Sequence, residues 1–259
     1  MTNYKLLVDT AALAGEIMLS SGAETYRVED TMCHILKTSN SDSIEALALM
    51  TGIVVTVNDK SLAQPITMMK TVNDRTTNMS NIIKVNDISR KYCGQQITLE
   101  EAYERLQSVR GKQYNRTLYN LGTIGIATGF SMMLGGRMQE VVITTIVGAL
   151  LAAIITIGKI TKWNGIMVHA LSGIGMAMLT IACKGFLIPD LDIDIVIVSA
   201  IMPIVPGVAI TNAIRDTLQA DYLSGCARIL EAFLTAASIA VGIGLGMVLI
   251  NGLMGGGVL

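Results

Sequence analysis

Five apolar segments follow one another in the second half of this chain, at about 118–136, 141–158, 166–183, 195–214 and 233–250. Each approaches the ~20 residues that an α-helix needs to cross the hydrocarbon core of a bilayer. A large soluble helical core does not ordinarily hold so many successive segments of this length and purity. The first 117 residues hold 26 of the 39 charged residues, and the remaining 142 hold 13. These features predict an α-helical integral membrane protein: an N-terminal α+β cytosolic domain over 1–117, then a membrane domain over 118–259 with five transmembrane helices.

Up to about Lys112 the pattern alternates between helix and strand signals. Leu6, Leu13 and Ile17, with Leu7, Ala14 and Met18, recur at helical spacing, and Asp9 and Glu16 interrupt the apolar run. An amphipathic helix of a folded domain explains this better than a secretory signal. Ser21-x-x-Glu24 has the form of a capping box that opens a second helix over 25–36. Runs rich in strand formers at 44–50, 53–57 and 66–72 predict three strands, punctuated by Asn58-Asp59-Lys60 and Gln64-Pro65. Two helices should follow, over 78–92 and 98–109, the second behind another capping box, Thr98-x-x-Glu101. Cys33, Cys93, Cys183 and Cys226 form no C-x-x-C pair, which argues against a disulfide framework or a zinc site and for small buried hydrophobes.

Basic residues set the expected orientation. With the N-terminus in the cytoplasm, Lys112, Arg116, Lys159, Lys162, Arg215 and Arg228 lie inside, and only Arg137 and Lys184 lie outside. This obeys the positive-inside rule, places the C-terminus outside, and turns Asp190, Asp192 and Asp194 outward. Small residues recur within the spans as Gly125-x-x-x-Gly129, Gly173-x-x-x-Ala177 and Gly242-x-x-x-Gly246, spacings that let helix backbones approach closely. Five helices are few to enclose a polar pathway. The chain is therefore expected to be half of a larger assembly or a homo-oligomer.

Pro203, Pro206 and Gly207 fall inside the fourth span, where proline removes a helix hydrogen bond and crowds the preceding turn. Such breaks are tolerated in membranes where protein or a water-lined cavity satisfies the freed backbone groups, and they form substrate sites in secondary transporters. A polar motif follows: Asn212, Arg215, Asp216, Asp221, Ser224, Arg228 and Glu231. On an intact helix Asn212 lies about 9 Å beyond Pro206, and Arg215 about 5 Å further, at the cytoplasmic mouth of whatever the break lines. Arg228 and Glu231, three apart, can share a face and pair. His169, about four residues into the third span, is either a functional polar residue or an interfacial one. In the soluble part, Glu24, Arg27, Glu29 and Asp30 crowd the start of the second helix, where the macrodipole by itself favours carboxylates.

Balanced charge, 19 Lys plus Arg against 20 Asp plus Glu, gives no sign of nucleic-acid binding. There is no P-loop, no H-E-x-x-H and no G-x-S-x-G elbow, so neither a catalytic residue nor a cofactor or metal is expected, and an ion or proton gradient is the remaining energy source.

The run Ser21-Gly22-Ala23-Glu24-Thr25-Tyr26-Arg27-Val28-Glu29-Asp30-Thr31-Met32, with Pro206-Gly207, Ala213-Ile214-Arg215-Asp216, Asp221, Ser224-Gly225 and Arg228, resembles the threonine/serine exporter family. It is most similar to the shorter, YjjP-type two-component branch. The resemblance covers nearly the whole chain and implies a multi-pass inner-membrane exporter of small hydrophilic metabolites, such as threonine and serine or dicarboxylates like succinate, driven by the proton-motive force. It also implies a partner, because that branch supplies the remaining membrane helices as a second, smaller subunit. The pathway residues expected on this reading are Pro203, Pro206, Gly207, Asn212, Arg215, Asp216, Asp221, Ser224, Arg228, Glu231 and His169. The alternative is a membrane-anchored enzyme or sensor acting through its cytosolic domain, for which the polar stretch at 20–30 is the best support.

Overall fold

Helix α1 (Tyr4–Ser20) starts where the Asn3 side chain accepts a hydrogen bond from the Leu6 N–H, at 3.1 Å. Its alanines and Gly15 let other elements approach it on several sides, so Leu7, Val8, Ala11, Ala12, Ala14 and Met18 have no exposed surface. It is thus a core helix, more deeply buried than its spacing alone predicts. The computed structural model describes residues 3–73, 75–109 and 115–254, so Lys112 and the C-terminal tail at 255–259 lie outside the described residues. The chain forms two compact units, one of Met1–Lys112 with Val208–Leu230 and one of Gln113–Gly207 with Glu231–Leu259.

In the first unit, α1 packs against α2 (Thr25–Lys37), α3 (Met79–Cys93), α4 (Leu99–Val109) and a three-stranded sheet. The strands β1 (Ser43–Leu49), β2 (Gly52–Asn58) and β3 (Ile66–Thr71) form an antiparallel meander with β2 central, in register Leu47↔Val54 and Val54↔Met69. The period of two places Ile53, Val55 and Val57 in the core, while Thr56 and Thr67 meet on the open face with hydroxyls 3.0 Å apart. Each predicted strand is present within a residue or two. The Thr98 hydroxyl accepts from the Glu101 N–H at 3.2 Å, as the second capping box requires. The unit is completed by α9 (Gly207–Leu218), apart from its first residue, and by the start of α10 (Tyr222–Leu253).

The second unit contains α5 (Arg116–Met133), α6 (Met138–Thr161), α7 (Gly165–Phe186), α8 (Ile193–Ile201), a 3₁₀ turn at Met202–Ile204 and the remainder of α10. Among the described residues, α6, α7 and α10 are long and apolar enough to cross a membrane, and the interrupted pair Ile193–Ile204 and Gly207–Leu218 raises the number to four if it is one span. The count is below the expected five because α5, although 18 residues long, opens on Arg116 and Asn120 and is too polar. The break itself falls where the prolines predict: helix geometry stops after Ile204 and resumes at Gly207. Helix α10 begins at Tyr222, well before the apolar run at 233, and continues for 32 residues.

Polar pairs join α5 to α6: Thr128 to Thr145 at 2.9 Å, Thr156 to Asn120 at 3.0 Å, and the Lys159 ammonium 3.9 Å from the Tyr119 ring centre. At the other end of α6, the carboxylate of Glu140 has no exposed surface and binds the Arg137 guanidinium at 2.7 Å and the Asp192 N–H at 3.3 Å. Arg137 also donates to the Asp190 carbonyl at 2.6 Å, pinning two loops together. Of the cysteines only Cys183 is buried; Cys33 and Cys93 are half-buried and Cys226 is exposed, which corrects the expectation of four buried hydrophobes.

Two of the three small-residue motifs meet. A Cβ on Gly173 would lie 2.7 Å from the Ile239 carbonyl, one on Gly246 would lie 2.7 Å from the Ile174 carbonyl, and one on Gly242 would run into the Ala170 carbonyl. Helices α7 and α10 therefore touch backbone to backbone. Gly125 and Gly129 on α5 face open space. Gly173→Leu should lower the melting temperature of the detergent-solubilised protein, by an amount equivalent to about 1–3 kcal/mol of overpacking or more, while Gly129→Ala should leave it nearly unchanged. Equal melting temperatures for the two variants would contradict this packing.

Candidate functional site

The first N–H groups of a helix have no partner within it. At α2 the N-cap is Glu24, not Ser21, and the Glu24 side chain makes no capping bond. The chain passes through Gly22 at φ +83° before the helix begins at Thr25, so Ser21 stands too early to act as the cap. The acceptor comes instead from α9. Asp216 Oδ1 accepts from the Thr25 N–H at 3.4 Å and from the Thr25 hydroxyl at 3.0 Å, across 191 residues of sequence. The expected local capping box is thus replaced by a cap from a distant segment.

Asn212, Arg215 and Asp216 share one face of α9 by their i, i+3, i+4 spacing. That face, together with Arg228 of α10, meets residues 22–25 one by one. Asn212 Nδ2 donates to the Gly22 carbonyl at 2.9 Å, Arg228 donates to the Ala23 carbonyl at 2.9 Å, Arg215 pairs with the Glu24 carboxylate, and Asp216 holds Thr25. The Arg228 Nε lies 2.8 Å from Asp216 Oδ2, an ion pair that lacks the alignment of a hydrogen bond. Both side chains are buried, at 7% and 0% exposure, whereas Arg215 is 55% exposed. Arg228 therefore spends its charge on Asp216, which the i, i+3 spacing to Glu231 does not reveal.

The turn between α9 and α10 is built to bring Arg228 there. Ala220 adopts a left-handed φ of 64°, and Asp221 caps α10 by accepting from the Ser224 N–H at 3.1 Å. A Cβ on Gly225 would come 3.2 Å from the Ala213 carbonyl, so the two helices cross closely at this glycine. Glu29 turns away from the cluster. Its Oε1 accepts from the β1 edge at the Ala48 N–H, at 2.8 Å. Burial raises its carboxyl pKa, the Ala48 bond lowers it in part, and the charge of Asp221 adds to the rise. Arg27 and Asp30 lie on the exposed side of α2.

Asn212, Arg215, Asp216 and Arg228 thus come together with Glu24, while Asp221 and Ser224 shape the turn. Pro203, Pro206, Gly207, His169 and Glu231 belong to the other unit: the prolines and the glycine form the helix break, His169 is half-buried on α7 and Glu231 is exposed on α10. Sequence reasoning missed Thr25 as a ligand of Asp216 and Glu140 as a buried carboxylate. A serine, threonine or aspartate at a helix start is ordinarily read as capping its own helix. For Glu140 the adjacent Arg137, three residues earlier, was the available signal.

The family described as "Putative threonine/serine exporter" matches this chain over residues 9–250, which takes in both halves of the cluster. A protein of Mycobacterium tuberculosis described as "Probable threonine/serine exporter" is 24% identical over 242 residues, covering 92% of this chain and 45% of that protein. This chain therefore spans less than half the length of that relative. No solved structure matches.

Removing one member of a buried ion pair leaves the other uncompensated, at a cost of about 3–5 kcal/mol. Asp216→Ala and Arg228→Met should each destabilise the protein strongly, and the double variant should cost much less than the sum. Thermal unfolding in detergent measures this, and additive losses would contradict the pairing. Glu29 supplies a pH test. Because its carboxyl pKa is raised in the fold, ionising it costs stability as pH rises above the ordinary value near 4.5. Glu29→Gln keeps an acceptor for Ala48 and should raise the melting temperature at pH 7.5 relative to wild type, with the gain vanishing near pH 4. A gain that persists at pH 4 would point to a cause other than ionisation.

Proposed function

Because the chain belongs to the threonine/serine exporter family, membrane transporters and not enzymes, we propose that it is a subunit of a proton-coupled secondary exporter that carries threonine, serine or a similar small hydrophilic metabolite out of the cytoplasm. Dicarboxylates such as succinate enter only through the carboxylate they share with amino acids. The observation that carries this reading is the helix interrupted between Ile204 and Gly207 and followed directly by a polar segment. Helix breaks at membrane depth expose backbone groups that can hold substrate or ions.

In this reading Pro203, Pro206 and Gly207 form the break. Arg215, the exposed guanidinium of the cluster, receives the substrate carboxylate from the cytoplasm. Asn212, Asp221, Ser224 and the Asp216–Arg228 pair hold the segment in shape. Glu231 carries the coupling proton, a role for which it is better placed than Asp216, whose carboxylate is sealed against Arg228. His169 is a further polar residue of the pathway.

Counting α5 and the interrupted pair gives five spans, with the N-terminus cytoplasmic and the C-terminus outside by the positive-inside rule. By its resemblance to the YjjP-type branch, the arrangement is two-component, with a second, smaller membrane subunit that completes the pathway. Open space beside Gly125 and Gly129 supports a neighbouring helix there, from that subunit or from a second copy.

The test is efflux from cells loaded with labelled threonine, serine or succinate, with and without the second subunit. Arg215→Ala and Glu231→Gln should each reduce efflux at least ~10-fold at equal membrane abundance, as loss of a charged hydrogen bond implies. An uncoupler should abolish it. Unchanged efflux in the variants would remove those residues from the mechanism, and efflux indifferent to the uncoupler would remove proton coupling.

A further inference from the structure

The motif that begins α2 has two sides. One side is consumed by α9 and α10, and the other, carrying Arg27 and Asp30, lines a cleft of about 370 Å³ within the first unit. Its opposite wall is the last part of α3, with Asn86, Ser89, Arg90 and Cys93. The volume falls at the lower end of the range for small-molecule sites, about 300–1,000 Å³.

The cleft carries charges of both signs. Arg27 and Arg90 bring two guanidinium groups. Arg27 is held only loosely by Glu24, at 3.8 Å, since that carboxylate also pairs with Arg215. Among the described residues no carboxylate is within ion-pair distance of Arg90. Two like charges facing one cleft repel each other, and a carboxylate bound between them relieves that repulsion. Asp30 supplies the opposite charge, with its carboxylate 3.2 Å from His34 Nδ1. Beside these charges the wall offers the hydroxyl of Ser89 and the amide of Asn86 and, apart from Tyr26, no large apolar side chain. Such a surface suits a short, hydrophilic ligand carrying both charges.

We propose that this cleft binds a small zwitterionic amino acid and acts as a sensing site apart from the transport pathway. Arg27 and Arg90 take the carboxylate, Asp30 takes the ammonium group, and Ser89 and Asn86 bond a polar side chain. The zwitterion follows from the cleft itself. The choice of threonine and serine rests on the exporter reading.

Cys93 lines the same cleft, and exposed Cys226 lies outside it, so alkylation gives a local readout on the full-length protein. Burial raises the Cys93 thiol pKa, so the reaction is run at mildly alkaline pH and followed by mass spectrometry. Threonine or serine should slow Cys93 alkylation at least ~10-fold at saturation without affecting Cys226, and Asp30→Asn or Arg90→Gln should remove the protection. Equal Cys93 rates with and without amino acid would overturn the proposal. So would protection by succinate or inorganic phosphate alone, which indicates a plain anion site, or protection that survives in both variants. The wild-type measurement stands whether or not the variants fold, and thermal unfolding in detergent reports their integrity. Protection without efflux would sink the exporter reading and leave the cleft assigned, and efflux without protection would do the reverse.

Discussion

The carboxylate of Asp216 is the point on which the first unit closes. A carboxylate with no exposed surface costs several kcal/mol in lost hydration unless its surroundings replace water. Here the replacement comes from three sources: the N–H and hydroxyl of Thr25 at the start of α2, and the guanidinium of Arg228. The positive end of the α2 dipole adds to them. Each of these groups would be deficient without the others. Helix α2 would lack its cap, and Arg228 would be a buried charge with no counterion. This mutual need is why Val208–Leu230 belongs with the N-terminal residues and not with the apolar segments on either side of it.

A second constraint governs the apolar helices. Backbone groups in a bilayer must be satisfied within the protein, so a spanning helix can be interrupted only where something replaces the lost bonds. Between Ile204 and Gly207 the ladder is cut by Pro203 and Pro206; the Val205 N–H keeps the helical partner, the Ile201 carbonyl at 3.2 Å, and the Gly207 N–H turns to the Val205 carbonyl at 2.8 Å. The interruption leads into α9, whose Asn212, Arg215 and Asp216 form the charged face already tied to residues 22–25. Exporter chemistry, in our reading, uses this succession of weakened backbone and anchored side chains.

Much of this was legible in the sequence, and the parts that were not share a physical cause. The strands announced themselves through runs of strand formers such as 53–57, the break through its prolines, and close helix approach through small residues at a spacing of four, although not which helices meet. All are local patterns. The cap on Thr25 was hidden because the partner that outcompetes Ser21 lies 191 residues away. The early start of α10 is invisible to hydropathy because Ser224 and Arg228 are polar, whereas both are buried by the same cluster. Glu140 falls between the apolar segments 118–136 and 141–158, yet Arg137 and the Asp192 N–H allow it to sit fully inside. In each case polar residues behave as core because their partners come from elsewhere in the chain.

The glycine contact between α7 and α10 also decides where the membrane helices can give. At Gly173, Gly242 and Gly246 each backbone rests against the other with no side chain between them, so there is no layer of rotamers to absorb a slide. A displacement along the seam would set Ile174 or Ile239 against main chain that cannot yield. Helix α8 and its 3₁₀ turn have no such lock, and two of their backbone bonds are already sacrificed to proline. The seam therefore serves as a fixed jamb, and whatever hinge the membrane unit possesses is left to the proline segment.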